Sequence, residues 1–218
     1  MPDLRTEAFV LRRTNYGEAD RILSLLATNG KIDVIARGVR KERSKLAGGI
    51  ELFCLSEVTI HQKSPDALGI LTSAKMLHFY QNILTDLSRL ELASTVLKQT
   101  SKLAVHIDSP ELFDLLSQIF GALDRAETPL PLVELYFRLN FARISGEPPN
   151  FHTDTTGAKL SPDQTYIWDQ SDQSLRPHPS GPLSAPHIKL LRLILSAPLS
   201  TVASVKDLDN YLYDIIGI

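Results

Sequence analysis

The side chains best suited to chemistry in this chain are a run of cations, RGVRKERSK, in its first third. Five positive charges fall within nine residues and only Glu42 opposes them; the cations are Arg37, Arg40, Lys41, Arg43 and Lys45. Positive charge on long side chains is what the phosphate backbone of a nucleic acid requires. In an arbitrary protein such a run is more often a solvated surface loop. Further cations flank the neighbouring predicted strands and favour the nucleic-acid interpretation; they are Arg12, Arg13, Arg21 and Lys31.

Aromatic rings that could stack on bases are sparse near these cations. Proteins that bind single strands without sequence preference usually combine positive charge with aromatic faces. Tyr16, in a turn between basic segments, is the candidate for stacking, and a tyrosine ring packed on its own domain is an equal alternative. Phe9 and Phe53 lie in apolar runs and are predicted to be core. We therefore expect a mainly electrostatic interaction that weakens with salt.

Motifs for catalysis and for metal binding are missing from the sequence. It contains no phosphate loop, no G-x-G-x-x-G and no H-E-x-x-H. Its six histidines never occur at a spacing that places two on one face of a helix, and Glu18 and Asp20 are interpreted as solvated turn residues. The single cysteine, Cys54, lies in the apolar run LFCLSEV and is predicted to be a buried thiol. We expect no enzyme activity, no cofactor and no metal.

The charges are distributed unevenly along the 218 residues. Residues 1–80 carry 12 Lys and Arg against 9 Asp and Glu, whereas residues 81–218 carry 11 against 16. A nucleic-acid contact is therefore expected in the first third. No apolar stretch approaches the ~20 residues of a membrane helix, and the opening MPDLRTEAF is unlike a signal peptide. These features predict a cytoplasmic protein that does not enter a membrane.

Five short strands separated by turns are predicted within the first 77 residues. The pair around Asn29-Gly30 is expected to be a hairpin with a type I′ turn. In KIDVIARG, Ile32, Val34 and Ala36 alternate with the residues of a wetter face. Without a helix long enough for a parallel crossover, the strands predict a small antiparallel barrel or sandwich. An OB-type barrel fits this pattern best, and an SH3-like barrel fits it nearly as well.

Helical periodicity replaces the strand pattern from about Leu77. One helix is predicted over residues 86–106, a second begins at Ser109-Pro110, and a third ends before Gly146. Residues 147–183 form an irregular, proline-rich insertion with a hairpin around residues 169–172, and Ser184 begins a further helix. The predicted fold class is α+β. It has a barrel domain over residues 1–78 and a helical domain over residues 79–218, which ends in a short helix.

Several separated segments resemble the RecO family of recombination mediators. The family pattern T-E-A-hydrophobic-V-L-R is met at residues 6–12, Y-x-E-x-D-R at 16–21, G-K at 30–31 and K/R-G-A/V-R-x-x-x-S at 37–44. The later stretches SPELFDLLSQIFGAL, LVELYFRLNFARISGEPPNF and GPLSAPHIKLLRLIL resemble the helical region of the family. The motifs keep the family's order, so the resemblance covers nearly the whole chain.

The chain departs from the family where many members carry a four-cysteine zinc finger. Thr153 and Thr156 occupy the positions of the first cysteine pair, and no cysteine follows them. Threonine does not replace a thiolate as a structural zinc ligand. We therefore expect a degenerate, metal-free remnant of the finger, stabilised by packing and turns.

The resemblance implies a function in DNA repair. Such proteins bind single- and double-stranded DNA, anneal strands coated by single-strand-binding protein, and act with RecR to load RecA without consuming ATP. The barrel cations would bind the phosphates of two strands at the nucleoid. The family also contacts the acidic carboxyl-terminal tail of single-strand-binding protein. We place that contact in a groove between the helices starting near Asp86 and Ser109, with Lys98 or Lys102 facing the tail.

Three other classes of function are compatible with some of these features. In a protein-interaction adaptor the basic run would be solvated surface only, and no salt-sensitive binding of DNA would be observed. An OB-type RNA-binding protein could use the same charges and would prefer RNA over matched DNA. A hydrolase is the weakest alternative, because no nucleophile can be paired with a base.

Overall fold

The amino-terminal strands close into a five-stranded barrel in a computed structural model that describes residues 3–64, 67–125 and 127–216. The strands are β1 (Leu4–Tyr16), β2 (Asp20–Ala27), β3 (Gly30–Ala36), β4 (Cys54–His61) and β5 (Gly69–Phe79). Strand β1 pairs antiparallel with both β2 and β4, and β3 pairs parallel with β5 through Val34 and Ile35. The order β1-β2-β3-β5-β4 is that of an OB-type barrel, which confirms this prediction over the SH3-like alternative.

The middle of β1 is buried on both faces, which explains its uninterrupted apolar run. Ala8 and Val10 point into the barrel core. Phe9 points the other way, with ring centroids 5.1 Å from Phe113 and 5.6 Å from Phe120. A strand covered on both faces has no polar face, so period-two alternation is lost. The buried positions predicted for Phe9, Phe53 and Cys54 are confirmed.

The hairpin between β2 and β3 forms as predicted, but its turn differs from the expected type I′. Ala27 pairs with Gly30, so Thr28 and Asn29 are the central residues. Gly30 has φ +119°, whereas Asn29 keeps a negative φ. A type I′ turn requires positive φ at both central residues, so that part of the prediction is wrong.

Two helices follow the barrel: α1 (Leu87–Leu103) and α2 (Pro110–Asp124). The Asp86 carboxylate caps α1 by accepting a hydrogen bond from the Arg89 backbone N–H at 3.0 Å. Both predicted helix starts are confirmed. The contacts of the chain gather Met1–Asp124 into one compact unit and Arg125–Ile218 into a second. These contacts do not show whether the barrel folds by itself, so the predicted domain boundary after residue 78 stays a prediction.

The second unit combines helices with a small sheet. Its helices are α3 (Leu130–Ile144), α4 (Ala185–Ser196), α5 (Leu199–Ala203) and α6 (Asp209–Ile215), and its strands are β6 (Asn150–Asp154), β7 (Tyr166–Asp169) and β8 (Ser174–Pro177). The predicted hairpin is β7–β8, and β6 adds to it in the order β6-β8-β7. The segment expected to be irregular therefore contains a three-stranded sheet.

Polar groups define the ends and the junction of the helices in the second unit. Gly146 ends α3 with φ +91°, and Ser184 caps α4 with the help of His187. The buried Asn140 amide donates to the carbonyls of Tyr136 in α3 and Ile194 in α4. No helix in the described ranges has the length and apolar character needed to cross a bilayer.

Candidate nucleic-acid interface

The run of cations forms a loop, residues 37–45, that is fixed to the barrel; we call it the basic loop. Val39 is 3% exposed and packs in the barrel core. The Gly38 N–H donates to the Asp20 carboxylate at 2.7 Å, and the Arg40 N–H donates to the Ala19 carbonyl at 2.9 Å. The Val39 side chain therefore anchors the loop in the barrel core, and two backbone N–H groups bind it to Ala19 and Asp20, between β1 and the start of β2. A fixed loop loses less conformational entropy on binding than a flexible one.

The cations of the basic loop point into solvent. All five are exposed: Arg37, Arg40, Lys41, Arg43 and Lys45. None of them forms an ion pair with any residue of the described ranges. The Arg40 guanidinium makes one neutral contact, with the Gly17 carbonyl at 3.2 Å. The charges are therefore available to phosphates without first breaking an ion pair to any described residue.

The turn between β1 and β2 brings Tyr16 to the same end of the barrel. The Arg40 side chain reaches Gly17, the residue that follows Tyr16. The Tyr16 side chain is 56% exposed and thus presents its ring to solvent. Arg21 lies at the same turn and is half-buried, with its Nε donating to the Asn15 amide oxygen at 3.2 Å. Tyr16 and Arg21 therefore lie beside the basic loop.

Arg12 and Lys31 lie apart from the basic loop, in a groove of about 490 Å³ on the outer face of β1, β2 and β3; we call it the strand groove. Lys31 is ion-paired there with Asp33 at 2.5 Å. Burial alone would raise the pKa of Asp33, but hydrogen bonds from Lys31 and Ser24 and the charge of Arg12 hold that pKa below its ordinary value. Lys31 is therefore partly neutralised inside the groove.

Arg13 is the predicted site residue that is most fully engaged elsewhere. Its guanidinium forms an ion pair with Glu51 at 2.5 Å, and its side chain is 25% exposed. Arg12 is instead exposed, and its Nε donates to Thr14 Oγ1 at 3.2 Å. The ten residues predicted for DNA thus separate into the basic loop with its turn, the strand groove, and the paired Arg13.

Lys98 and Lys102 are exposed on α1 and line a second groove, of about 400 Å³; we call it the helix groove. Its other wall is the barrel rather than the predicted α2. The apolar part of the lining comes from Leu11, Leu52, Phe53 and Leu97. Arg12, Ser101 and Lys102 line both the strand groove and the helix groove, so the two adjoin.

Two residues that position the basic loop were not identified from the sequence. Asp20, interpreted as a solvated turn residue, binds the Gly38 N–H. Val39, inside the charged run, is a core residue of the barrel. A lone valine among five cations was the available signal for an anchor.

Hydrogen bonds close the segment in which the sequence resemblance predicts a degenerate zinc finger. Asp154 Oδ1 accepts from the Thr156 hydroxyl at 2.6 Å, from the Thr156 N–H and from the Ala158 N–H. These bonds, led by that from the Thr156 hydroxyl, lower the pKa of Asp154. Thr153 Oγ1 accepts from the Asn150 amide at 2.7 Å. The two threonines are thus engaged in turns and do not fit a zinc site, and the described ranges contain no cluster of three metal-ligating side chains.

Comparison with known proteins places both units in the family that the sequence motifs resemble. Residues 1–80 match the family model described as Recombination protein O N terminal, and residues 76–211 match Recombination protein O C terminal. The DNA repair protein RecO of Dehalococcoides mccartyi strain CBDB1 is 31% identical over 216 residues, which are 94% of this chain and 83% of that protein. The protein of the same name from Rubrobacter xylanophilus is 27% identical over 97% of this chain and 88% of its own length.

Proposed function

Because the chain belongs to the RecO family of DNA repair proteins, we propose that it binds single- and double-stranded DNA through its barrel and anneals complementary strands. The observation that carries this proposal is the basic loop, which is fixed by Val39 and Asp20 and exposes five cations without ion-pair partners in the described chain. A preorganised set of unpaired cations is suited to phosphates and carries no information on base sequence.

Annealing requires two polyanions to approach each other, and the basic loop would lower their repulsion. Cations that neutralise phosphates also release counterions, which favours binding at low salt. The bases would remain free to pair, since the contacts are to the backbone. This mechanism consumes no nucleotide and needs no catalytic residue, so we propose that the protein acts as a mediator and not as an enzyme.

We further propose that the partners are those of the family. The protein would act with RecR and thereby support the loading of RecA onto DNA coated by single-strand-binding protein. This activity would place it at the nucleoid, in the cytoplasm. The helix groove suits the acidic and apolar tail of single-strand-binding protein, because Lys98 and Lys102 flank an apolar floor that includes Leu97 and Phe53.

Strand annealing tests the proposal directly. Two complementary oligonucleotides carrying a donor and an acceptor dye are coated with single-strand-binding protein and mixed with the native chain in the absence of nucleotide. We expect faster pairing than without the chain, and a loss of this effect in the triple variant Arg40→Ala/Lys41→Ala/Arg43→Ala. Annealing at the spontaneous rate by a folded native chain would reject the proposal.

The tail contact needs its own experiment. A labelled peptide with the acidic tail sequence is titrated with the native chain and with Lys98→Ala/Lys102→Ala. We expect several-fold weaker binding by the double variant, and no change for Lys189→Ala, an exposed lysine on α4. Equal binding by all three proteins would exclude the helix groove as the tail site.

A further inference from the structure

The second unit contains a small groove of mixed chemistry that none of the functions above uses. It has a volume of about 210 Å³ and lies between α3 and the β7–β8 hairpin; we call it the tryptophan groove. Its lining combines an apolar floor, one aromatic ring, two amides and one cation: Leu139, Ala142, Pro149, Trp168, Gln170, Gln173 and Arg138. From this combination we infer a binding site for a single unpaired nucleotide of DNA, with the base stacked on Trp168 and the phosphate at Arg138.

Trp168 is fixed before any ligand arrives. Its indole N–H donates to the Gln170 amide oxygen at 3.1 Å, and its ring centroid lies 5.6 Å from that of the buried Phe151. The side chain is half-buried and lines the groove. A ring that is already ordered loses little conformational entropy when a base stacks on it, and every base offers a π face.

The charge of the groove selects an anion. Arg138 is exposed, and no acidic residue lines the groove. Its Nη2 donates to the Ile216 carbonyl at 2.9 Å, and no ion pair joins it to another described residue. A guanidinium has five N–H donors in a planar fork, so donors remain for a phosphate. An aromatic ring beside one cation matches the base and phosphate of one nucleotide.

The inference deepens the proposed function and rests on it, since a protein that binds no DNA has no use for the site. The barrel offers many cations and, among its described residues, one exposed tyrosine ring, that of Tyr16, whereas the tryptophan groove offers one cation and one fixed ring. The basic loop would hold the backbone without regard to base exposure. The tryptophan groove would accept only unstacked bases and would therefore favour single strands over duplex.

Trp168 reports on its own site, because it is the single tryptophan of the chain. The full chain is titrated with unlabelled oligothymidylate while tryptophan fluorescence is recorded, and in parallel a labelled copy of the same oligonucleotide is followed by anisotropy. Stacking predicts strong quenching that saturates with the anisotropy change. Duplex DNA of the same length should change the anisotropy with little quenching.

Three variants that retain Trp168 locate the quenching. In Ala142→Met a larger side chain fills the floor of the groove, so quenching should be lost while binding to the basic loop persists. Arg138→Ala should shift quenching to higher DNA concentration and reduce its logarithmic salt dependence by about 0.7, the share of one phosphate on a single strand. Lys189→Ala, which removes an exposed cation of the same unit outside the groove, should behave as the native chain.

Variants of the ring itself test the size of the effect. Trp168→Ala should weaken the binding of a short oligothymidylate by about tenfold, within the range measured for loss of one stacked base. Trp168→Phe keeps a ring and should lose less. Circular dichroism of each variant shows whether the fold is retained.

The outcomes separate this inference from the proposed function. Saturating anisotropy with unchanged tryptophan fluorescence would overturn the nucleotide site and leave DNA binding by the barrel intact. Quenching that persists unchanged in Ala142→Met would also overturn it, because the base would not enter the groove. A chain that shows neither signal would refute both proposals.

Discussion

Individual cations on the barrel differ in what already neutralises them. Among the described residues, the Arg40 guanidinium contacts a neutral carbonyl, whereas Lys31 forms an ion pair with Asp33 and Arg13 forms one with Glu51. An ion pair must be broken or shared before its cation can bind a phosphate. Equal formal charges are therefore expected to contribute unequally to DNA affinity, and the acids beside them become the informative positions for substitution.

Substitution of Asp33 tests this inequality. In Asp33→Asn the Lys31 ammonium loses its paired carboxylate, and the strand groove gains one net positive charge. We expect tighter binding of single-stranded DNA and a logarithmic salt dependence steeper by about 0.7. The measurement is an anisotropy titration at several salt concentrations. Glu57→Gln, which frees Arg5 on another pair of strands, is the matched control, and identical salt dependence in Asp33→Asn and the native chain would exclude Lys31 from the contact.

The same carboxylate gives a pH dependence of stability. Because the pKa of Asp33 is held below its ordinary value in the folded chain, its ionised form stabilises the fold above the pKa of unfolded aspartate. This stabilisation is lost as the pH falls through the lower folded pKa. Urea unfolding at a series of acid pH values should show Asp33→Asn less stable than the native chain near neutrality, with the difference shrinking as the solution is acidified. A constant difference would contradict the assignment.

The exposure or burial of individual side chains could be predicted from the sequence, but their bonding partners could not. The exposed cations of the basic loop and the buried Cys54 follow from local composition. The pairing of Arg13 with Glu51 depends on a loop 38 residues away. Such contacts are set by the tertiary structure, and no local pattern encodes them.

At the scale of elements, the basic loop depends on its attachment to the turn between β1 and β2. We expect Asp20→Ala to lower the free energy of unfolding by about 1 kcal/mol, because the Gly38 N–H loses a charged acceptor that is partly exposed to solvent. We also expect weaker DNA binding than for Glu18→Ala. Both variants remove one negative charge from the same turn, so the comparison cancels electrostatics and isolates loop order.

Urea unfolding and anisotropy titration provide the two readouts for this pair. Glu18 is exposed, and its side chain forms no hydrogen bond or ion pair with any described residue. Its removal should leave stability unchanged and strengthen DNA binding slightly. If Asp20→Ala bound DNA as tightly as Glu18→Ala, fixation of the loop would not contribute to binding.

The junction of α3 and α4 depends on one buried amide. Asn140→Ala creates a small cavity and leaves the Ile194 carbonyl without the hydrogen bond that the amide donates. We expect a loss of about 1–3 kcal/mol in the free energy of unfolding, measured by urea denaturation. Asn210→Ala, at an exposed position of α6, should cost less than about 0.5 kcal/mol. Equal losses in the two variants would show that the amide does not join the helices.

Elements with strong end signals were predictable from the sequence, and short ones were not. Ser109-Pro110 and Ser184 mark helix starts, and Gly146 marks a helix end. Strand β6 and helix α5 have five residues each, too few for a period to be recognised. The hairpin was predictable from Asn29-Gly30, but its turn type depended on the register of β2 and β3.

At the scale of the whole molecule, the order of the sequence motifs identified the fold. The boundary between the two compact units was visible only from the packing of the side chains. The excess of positive charge over residues 1–80 coincides with the barrel. The first compact unit extends to Asp124 because Phe9 and Phe53 pack on α2, and a sequence pattern alone does not show which helices a barrel recruits. The second unit carries 10 Asp and Glu against 8 Lys and Arg, and it contains the tryptophan groove.

The salt dependence of single-stranded DNA binding tests the central claim, that the basic loop binds the phosphate backbone. Anisotropy titrations at several salt concentrations compare the native chain, Arg40→Ala/Lys41→Ala/Arg43→Ala, and a control that removes three exposed lysines from the second unit, Lys159→Ala/Lys189→Ala/Lys206→Ala. We predict weaker binding by the loop variant and a logarithmic slope lower by about 2, at ~0.7 for each phosphate that is no longer neutralised, with little change in the control. Equal slopes in the loop variant and the native chain would contradict the account.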